Sequence, residues 1–377
     1  MIVGAGYTIP FHDSPQIISF SKVKSLNLQA KSTSNMNKKI LVTGGCGYIG
    51  SHTIVDLVDN GFDVISIDDN SRSTTTLIDN IEDIVGQKIK NYQVNLCDLD
   101  ATKAVFEENK DIEGVIHFAA FKTVPESVEK PLLYFHNNLE SLVNILTCVK
   151  EYNVSNFVFS SSCSVYGNAE ELPVVETTPM GEVESPYART KHIGEDIIRD
   201  YSKVNDTNNI LLRYFNPVGA HSSIKIGEMP LGKPDNLVPV ITQTAIGKIE
   251  KMTVFGTDYD TRDGSCVRDY IHVMDIANAH TKAIQYLIEE KNKDKCEVFN
   301  LGTGNGVTVL EAIKAFEKVS GVKLNYTTGG RRPGDVIAIY ANNEYAQKKL
   351  GWDPKKGIDE MMDTAWKWQL KLKEMEK

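Results

Sequence analysis

Tyr187 and Lys191 stand four residues apart in the run S-P-Y-A-R-T-K (185–191). On a helix that spacing places both on one face. An ammonium held beside a phenol favours the phenolate and lowers its pKa from about 10 toward neutrality. Such a pair can take a proton from an alcohol and later return it. Tyr-x-x-x-Lys also arises by chance, so its context matters. That context is F-S-S-S-C-S-V-Y-G (159–167), whose first residues read as a strand. Ser162 falls where that strand ends, and its hydroxyl can share the substrate proton with Tyr187. Ser185 and Pro186 form a good helix start, a capping hydroxyl followed by a proline suited to the first turn.

A second constellation is Gly44-x-x-Gly47-x-x-Gly50, set between the apolar run 39–43 and a helical pattern closed by Gly61. The first glycine allows a tight turn, the second a close backbone approach to a pyrophosphate, and the third close helix–strand packing. The helix start offers free N–H groups and partial positive charge to phosphates. Asp68 lies eighteen residues past Gly50, at the end of a second strand, where a carboxylate can hold the two hydroxyls of an adenosine ribose. A carboxylate repels a 2′-phosphate, so NAD is favoured over NADP, although Arg72 nearby weakens that preference. An oxidised nicotinamide is itself cationic and would add to the effect of Lys191 on Tyr187.

The elements that must position these groups alternate. Strands are expected at 39–43, 63–68, 91–96, 114–118, 156–161 and 210–214. Helices are expected between them, notably over 132–151 and 186–202. The fold class is therefore α/β, a doubly wound parallel Rossmann-type sheet with ligands at the carboxyl ends of its strands. From Asn216 onward glycine and proline are more frequent, which suits a smaller mixed α/β substrate lobe. The expected division is an extension over 1–36, a nucleotide-binding domain over 37–215 and a substrate-binding lobe over 216–377. Within the lobe, part of 266–290 is expected to pack back on the first domain.

Composition narrows the function. The net charge is −9, from 41 basic and 50 acidic residues, which argues against a nucleic-acid partner. No apolar run approaches the roughly 18–20 residues of a membrane span. The six cysteines include no C-x-x-C pair and offer no zinc or disulfide framework, which points to a reducing, cytoplasmic compartment. No H-E-x-x-H or similar pair occurs, so no metal is expected in the site. Residues 1–36 lack a basic opening and carry no arginine, so a secretory signal or transit peptide is disfavoured. An extension without fixed structure, or translation beginning at Met36, is the expectation.

Taken together these segments resemble the extended short-chain dehydrogenase/reductase family, and most of all its UDP-galactose 4-epimerases. The resemblance runs from about Lys39 to Trp368. It is carried by V-T-G-G-C-G-Y-I-G-S-H (42–52), V-I-H-F-A-A (115–120), the serine and Tyr/Lys runs, L-R-Y-F-N-P-V-G-A-H (212–221), V-R-D-Y-I-H-V-M-D (267–275), N-L-G-T-G (300–304) and R-R-P-G-D-V (331–336). The Y-F-N-P-V-G-A-H and V-R-D-Y-I-H-V runs are specific, whereas the glycine and Tyr/Lys motifs belong to the wider family. Pro125 departs from the pattern, where a small flexible residue is more usual.

The resemblance implies catalytic roles for Ser162, Tyr187 and Lys191. Tyr48 and Ile49, with Gly44, Gly47, Gly50 and the stretch Asp68, Asp69, Asn70, Ser71, Arg72 and Ser73, would line the adenosine and phosphates of NAD. Asp98 and Leu99 would meet the adenine. Phe118, Ala119, Lys122 and Asn137 would hold pyrophosphate and riboses, with Tyr214 and Phe215 flanking the nicotinamide. Asn216, Asn236, Leu237, Thr253, Val254, Phe255, Arg268, Arg332 and Asp335 would hold UDP. Two arginines suit a pyrophosphate, which favours bidentate and always-charged donors. The implied reaction is reversible 4-epimerisation of UDP-galactose and UDP-glucose through a 4-keto sugar, on tightly bound NAD. Ile339 stands where a large aromatic resembles enzymes confined to plain hexoses and a small residue those taking N-acetyl sugars. Being intermediate, it leaves N-acetylhexosamines open. Nucleotide-sugar dehydratases place Asp-Glu after the strand serine or threonine, where this chain has Cys163 and Ser164. Decarboxylation and a non-catalytic NAD-binding role are further alternatives. Members are often homodimers, and helices 132–151 and 186–202 would pair two copies.

Overall fold

The structure is a computed structural model that describes residues 38–74, 76–230, 232, 234–332 and 335–376. The expected extension over 1–36 lies outside the described residues. In chain order the strands are β1 (Lys39–Thr43), β2 (Asp63–Ile67), β3 (Lys90–Tyr92), β4 (Ile112–His117), β5 (Asn156–Ser162), β6 (Asn208–Tyr214), β7 (Asn216–Val218), β8 (Met252–Phe255), β9 (Val267–His272), β10 (Cys296–Leu301), β11 (Gly306–Thr308), β12 (Tyr326–Gly329) and β13 (Ala338–Ile339).

Seven strands form one sheet in the order β10-β6-β5-β4-β1-β2-β3, and every pairing in it is parallel. The order reverses between β1 and β4, which opens a crevice at their carboxyl ends. Strands such as Ile40–Val42 and Val115–Ile116 are buried on both faces, as a sheet covered on both sides requires. One apolar layer joins the sheet to Ile54 and Leu57 of the Tyr48–Asp59 helix and to Ile276 and Ile284 of the Val273–Ile288 helix. The other joins it to Phe106, to Leu142 and Ile145 of the Pro131–Glu151 helix, and to Ile198 of the Pro186–Ser202 helix.

The second lobe is built around β9, which pairs with β7, β11 and β13, and around the parallel pair β8–β12. Its core is Val254, Tyr270, Ile313, Phe316 and Met362. The boundary is less clean than a cut at 215/216. The Val273–Ile288 helix packs on the main sheet, within the stretch expected to return there, but β10 also becomes its seventh strand alongside β6. An apolar run such as Cys296–Leu301 does not announce which sheet it will join. The third strand is also shorter than the expected 91–96. It pairs only with Ile65–Ile67 of β2, which ends there and leaves Val94–Leu96 without a strand to pair with.

Candidate active site

A cleft of about 1190 Å³ runs between the lobes along the carboxyl ends of the strands. At one end lies the glycine turn. The first intrahelical bond of the Tyr48–Asp59 helix runs from Ser51 N–H to the Gly47 carbonyl at 3.0 Å. The preceding amides therefore have no helical acceptor. Packing here leaves no room for side chains. A Cβ on Gly44 would stand 2.9 Å from Ala119 N, and one on Gly50 would stand 2.2 Å from Gly44 O. Gly44 also has φ +71°, a backbone that favours glycine. Tyr48 donates its hydroxyl to Gly219 O of the second lobe at 2.6 Å.

Asp68 directly follows β2 and accepts from Cys46 N (3.0 Å), Asn70 N (2.9 Å) and Ser73 Oγ (3.0 Å). Burial raises its carboxyl above the usual range, and these three donors oppose the rise. Arg72 is already engaged, 2.9 Å from Glu126 and stacked 4.5 Å over the Phe121 ring. Asp69, Ser71, Ser73, Phe118, Ala119, Lys122 and Asn137 all line this end. The wall opposite is Val94, Asn95 and Leu96 rather than Asp98 and Leu99. Asp98 caps the Leu99–Glu108 helix by accepting from Ala101 N at 3.0 Å, and Leu99 packs into the core. Asn70 also stands off the wall, with φ +58° and its side-chain oxygen Oδ1 accepting from Ser73 Oγ.

Midway along the cleft, Ser162 is the last residue of β5 and accepts from Ser164 N at 3.2 Å. Ser185 caps the next helix, accepting from Ala188 N at 3.2 Å, with Pro186 in the first turn. That helix presents Tyr187 and Lys191 to the cleft, which Ser162 also lines. Lys191 is buried, donates to Ser160 O at 2.7 Å and lies 4.9 Å over the Phe159 ring.

The phenol departs from the sequence expectation. Burial, then Tyr214, push it up rather than down, and burial lowers Lys191 to about 7 against the pull of Glu195. Both groups are penalised for charge because they are dry, and one-turn spacing alone does not reverse that. The resting pair is a protonated phenol beside an amine that loses its proton easily. Tyr214 closes the floor, hydrogen-bonded to Ser160 and backed by His280 at 5.9 Å between rings.

Beneath these residues sits a buried ion pair. Arg213 of β6 grips Glu195 of the Tyr187 helix through Nε (2.8 Å) and Nη2 (2.6 Å), and Glu195 also accepts from Ser161. Arg213 and Glu195 are 2% and 0% exposed. The pair locks together the two strands and the helix that carry Ser162, Tyr187 and Lys191. Sequence reasoning missed it, because nothing along the chain pairs residues eighteen apart on different elements.

At the far end Arg268 donates to the carbonyls of Val267 (2.9 Å) and Val336 (2.6 Å), with Nη2 3.9 Å from Asp335. Arg332 donates to the same carboxylate at 2.7 Å. Asn216 lines the cleft with its buried side-chain oxygen Oδ1 unpartnered. Asn236 donates to Glu228 (2.8 Å), which also meets Lys122 (3.1 Å) across the cleft. Glu228 was not foreseen. Ile339 and Phe215 are buried cleft walls. Leu237, Thr253, Val254 and Phe255 are not part of the wall. Leu237 and Val254 pack into the lobe core, and Phe255 lies 5.7 Å beneath the Arg332 guanidinium. Thr253 is an interior residue of β8, paired with Thr327.

This fold and cleft define a dinucleotide-binding enzyme of the short-chain dehydrogenase type. A family model described as GDP-mannose 4,6 dehydratase matches residues 41–365. The UDP-glucose 4-epimerase of Bacillus subtilis (strain 168) is 46% identical over 331 residues, 88% of this chain and 96% of that one. UDP-glucose 4-epimerase 2 of Arabidopsis thaliana is 47% identical, covering 88% and 95%. Among solved structures, the Stenotrophomonas maltophila UDP-glucose-4-epimerase with bound NAD and formylated UDP-arabinopyranose superposes with a TM-score of 0.87. It is 40% identical and covers 90% of this chain and 99% of that one. The Bifidobacterium longum enzyme in complex with NAD+ and UDP gives a TM-score of 0.84 at 44% identity, covering 89% and 98%. The chain belongs to the extended short-chain dehydrogenase/reductase family, on its UDP-glucose 4-epimerase branch.

Proposed function

We propose that this chain interconverts UDP-galactose and UDP-glucose with NAD held in the cleft. One observation carries the reading. A single cleft holds the glycine turn, the Ser162–Tyr187–Lys191 group and the Arg268–Arg332 pair. Nucleotide and sugar can therefore meet at one proton-transfer group. The residues fit a dinucleotide: Gly44, Gly47 and Gly50 line the cleft at a helix start whose first amides have no helical acceptor, as a pyrophosphate site needs. Engagement of Arg72 by Glu126 leaves it a poor partner for a 2′-phosphate, which favours NAD over NADP.

NAD, when bound, supplies hydride acceptance and return at the sugar's C4. The chain does the rest. Ser162 and Tyr187 share the proton of the 4-hydroxyl, and Lys191 is the cation placed to compensate a buried phenolate. Arg268 and Arg332 offer two guanidiniums around one carboxylate, Asp335, leaving net positive charge for a pyrophosphate. Asn216 offers an acceptor with no partner of its own. Asp98, Leu99 and Asn70 on the adenosine side, and Leu237 with Thr253–Phe255 on the uridine side, would act from behind the wall or through their backbone.

Purified protein given UDP-galactose without added reductant is expected to form UDP-glucose. Absence of that product would sink the reading. A 4,6-dehydratase is disfavoured by Cys163, whose thiol burial pushes up to about 12, and by Ser164. Neither can serve as the acid–base carboxyl that elimination of water needs.

Two further outcomes are expected. Gly50→Ala forces a methyl against Gly44 O, costing about 1–3 kcal/mol of stability as overpacking does. The protein should then lose NAD during purification, read from absorbance of the released nucleotide. Ile339→Tyr narrows the pocket beside the sugar. It should cut kcat/KM for UDP-N-acetylgalactosamine about 10–200-fold relative to UDP-galactose, and an unchanged ratio would remove Ile339 as the gate.

No helix among the described residues is long and apolar enough to cross a membrane. All six cysteines are free thiols, which supports placing the chain in the reducing cytoplasm. Pairing of two copies through the Pro131–Glu151 and Pro186–Ser202 helices is supported by the exposure of Leu132 and Val143.

A further inference from the structure

Outside the cleft, three side chains of metal-binding type converge. Cys97 lies in the loop between β3 and the Leu99–Glu108 helix. His136 and Glu140 stand one turn apart on the Pro131–Glu151 helix, with His136 Nδ1 2.6 Å from Glu140 Oε2. One ligand atom from each of the three lies within 4.8 Å of the others. We propose that Cys97, His136 and Glu140 form a binding site for one zinc-class divalent cation, at the edge of the exposed helix face that also carries Leu132 and Val143.

The ligand chemistry selects the cation. A thiolate, an imidazole and a carboxylate suit zinc and its neighbours, whereas magnesium and calcium take oxygen ligands. Zinc bonds of about 2.0–2.3 Å in a tetrahedron set ligand atoms roughly 3.3–3.7 Å apart. The three ligand atoms, within 4.8 Å of one another, must settle toward that spacing and the 2.6 Å His–Glu pair must open, which side-chain rotation allows. The i, i+4 spacing of His136 and Glu140 is the one by which a helix presents two ligands on one face.

The two elements are already fastened to each other. Asn144 on the helix donates to Leu96 O at 2.9 Å, and Asn95 Oδ1 accepts from Cys97 N at 2.9 Å. The Cys97 sulfur sits 3.7 Å from Asn137 O, so it already faces the helix. The ligands thus arrive on a supported frame rather than on a free loop. Asn95, Leu96 and Asn137, next to the ligands in the chain, line the cleft. A bound cation would brace that wall from behind.

Binding replaces the thiol proton, which leaves to solvent as the sulfur–metal bond forms. The full-length protein, stripped with a chelator, is titrated with zinc chloride against a chromophoric chelator and separately with cobalt(II) chloride. One zinc per chain and a thiolate-to-cobalt charge-transfer band are expected. Cys97→Ser should abolish the band, and both Cys97→Ser and His136→Ala should weaken zinc at least ~10-fold. Melting curves of the two variants confirm that each is folded. Failure to retain zinc overturns the proposal, as does any result in which Cys97→Ser binds zinc as the parent does.

Discussion

Tyr187→Phe is expected to lower kcat by ~10²–10⁴-fold, the usual worth of a positioned proton-transfer group. The change removes one oxygen and leaves the ring in place. Stability should therefore move by no more than the roughly 0.5–1.5 kcal/mol of one hydrogen bond. NAD should stay with the variant, because the glycine turn and Asp68 are untouched. The fall should appear in kcat with both UDP-galactose and UDP-glucose, since the same phenol serves each direction. The physical case rests on position rather than on a pre-formed phenolate. In the structure burial favours the protonated phenol, with Ser162 in the same cleft and Lys191 one turn along the same helix. A group so placed can donate and accept across one hydrogen bond, and Phe can do neither. Turnover equal to the parent's would remove Tyr187 from the chemistry.

Glu195→Ala carries the largest expected loss of stability, about 3–5 kcal/mol, because it leaves the buried Arg213 guanidinium without its carboxylate. The fragment Ser161–Glu195–Arg213 joins β5, the Pro186–Ser202 helix and β6. Thermal or urea unfolding of the NAD-free protein measures the loss directly. Activity should fall as well, through displacement of Tyr187 and Lys191 rather than loss of a reacting group. Double replacement, Glu195→Leu with Arg213→Met, should recover much of the stability, since apolar groups of similar volume cost less than an orphaned charge. A stability loss within 1 kcal/mol for the single change would refute the structural role. Acid should act on the same pair. Burial alone would raise the Glu195 carboxyl, but hydrogen bonds and charge from Arg213 hold it below its ordinary value of 4.5. A depressed carboxyl stabilises the fold fully above its unfolded pKa and loses that contribution as pH falls through the folded one. The Glu195→Ala protein should therefore show a flatter stability profile than the parent below about pH 4.5.

How much of this was legible beforehand differs from element to element. The start of the Pro186–Ser202 helix could be read because capping is local: Ser185 and Pro186 act on amides within three residues. β1 and its glycine turn could be read for the same reason. The seventh strand could not. Cys296–Leu301 joins β6 across more than eighty residues of chain, and an apolar run is compatible with either sheet. The family resemblance placed Arg268, Arg332 and Asp335 together near UDP, and the structure brings them to one end of the cleft. It also named Asp98 and Leu99, which cap a helix and pack against the core just past the cleft residues Asn95 and Leu96. The spacing of Tyr187 and Lys191 is visible in a sequence, whereas the burial that raises the phenol in the chain alone is not.

By itself the sequence determined the alternation of strands and helices, the cradle that only glycines permit, and the presence of a phenol, an amine and a hydroxyl in helix and strand positions. Those follow from interactions a few residues long. Only the tertiary structure decided that the three share one cleft with two arginines, that Glu195 and Arg213 hold their supports together in the dry interior, and that Cys97 meets His136 and Glu140. Each of those depends on distance through space between segments far apart in the chain, and on how much water reaches them.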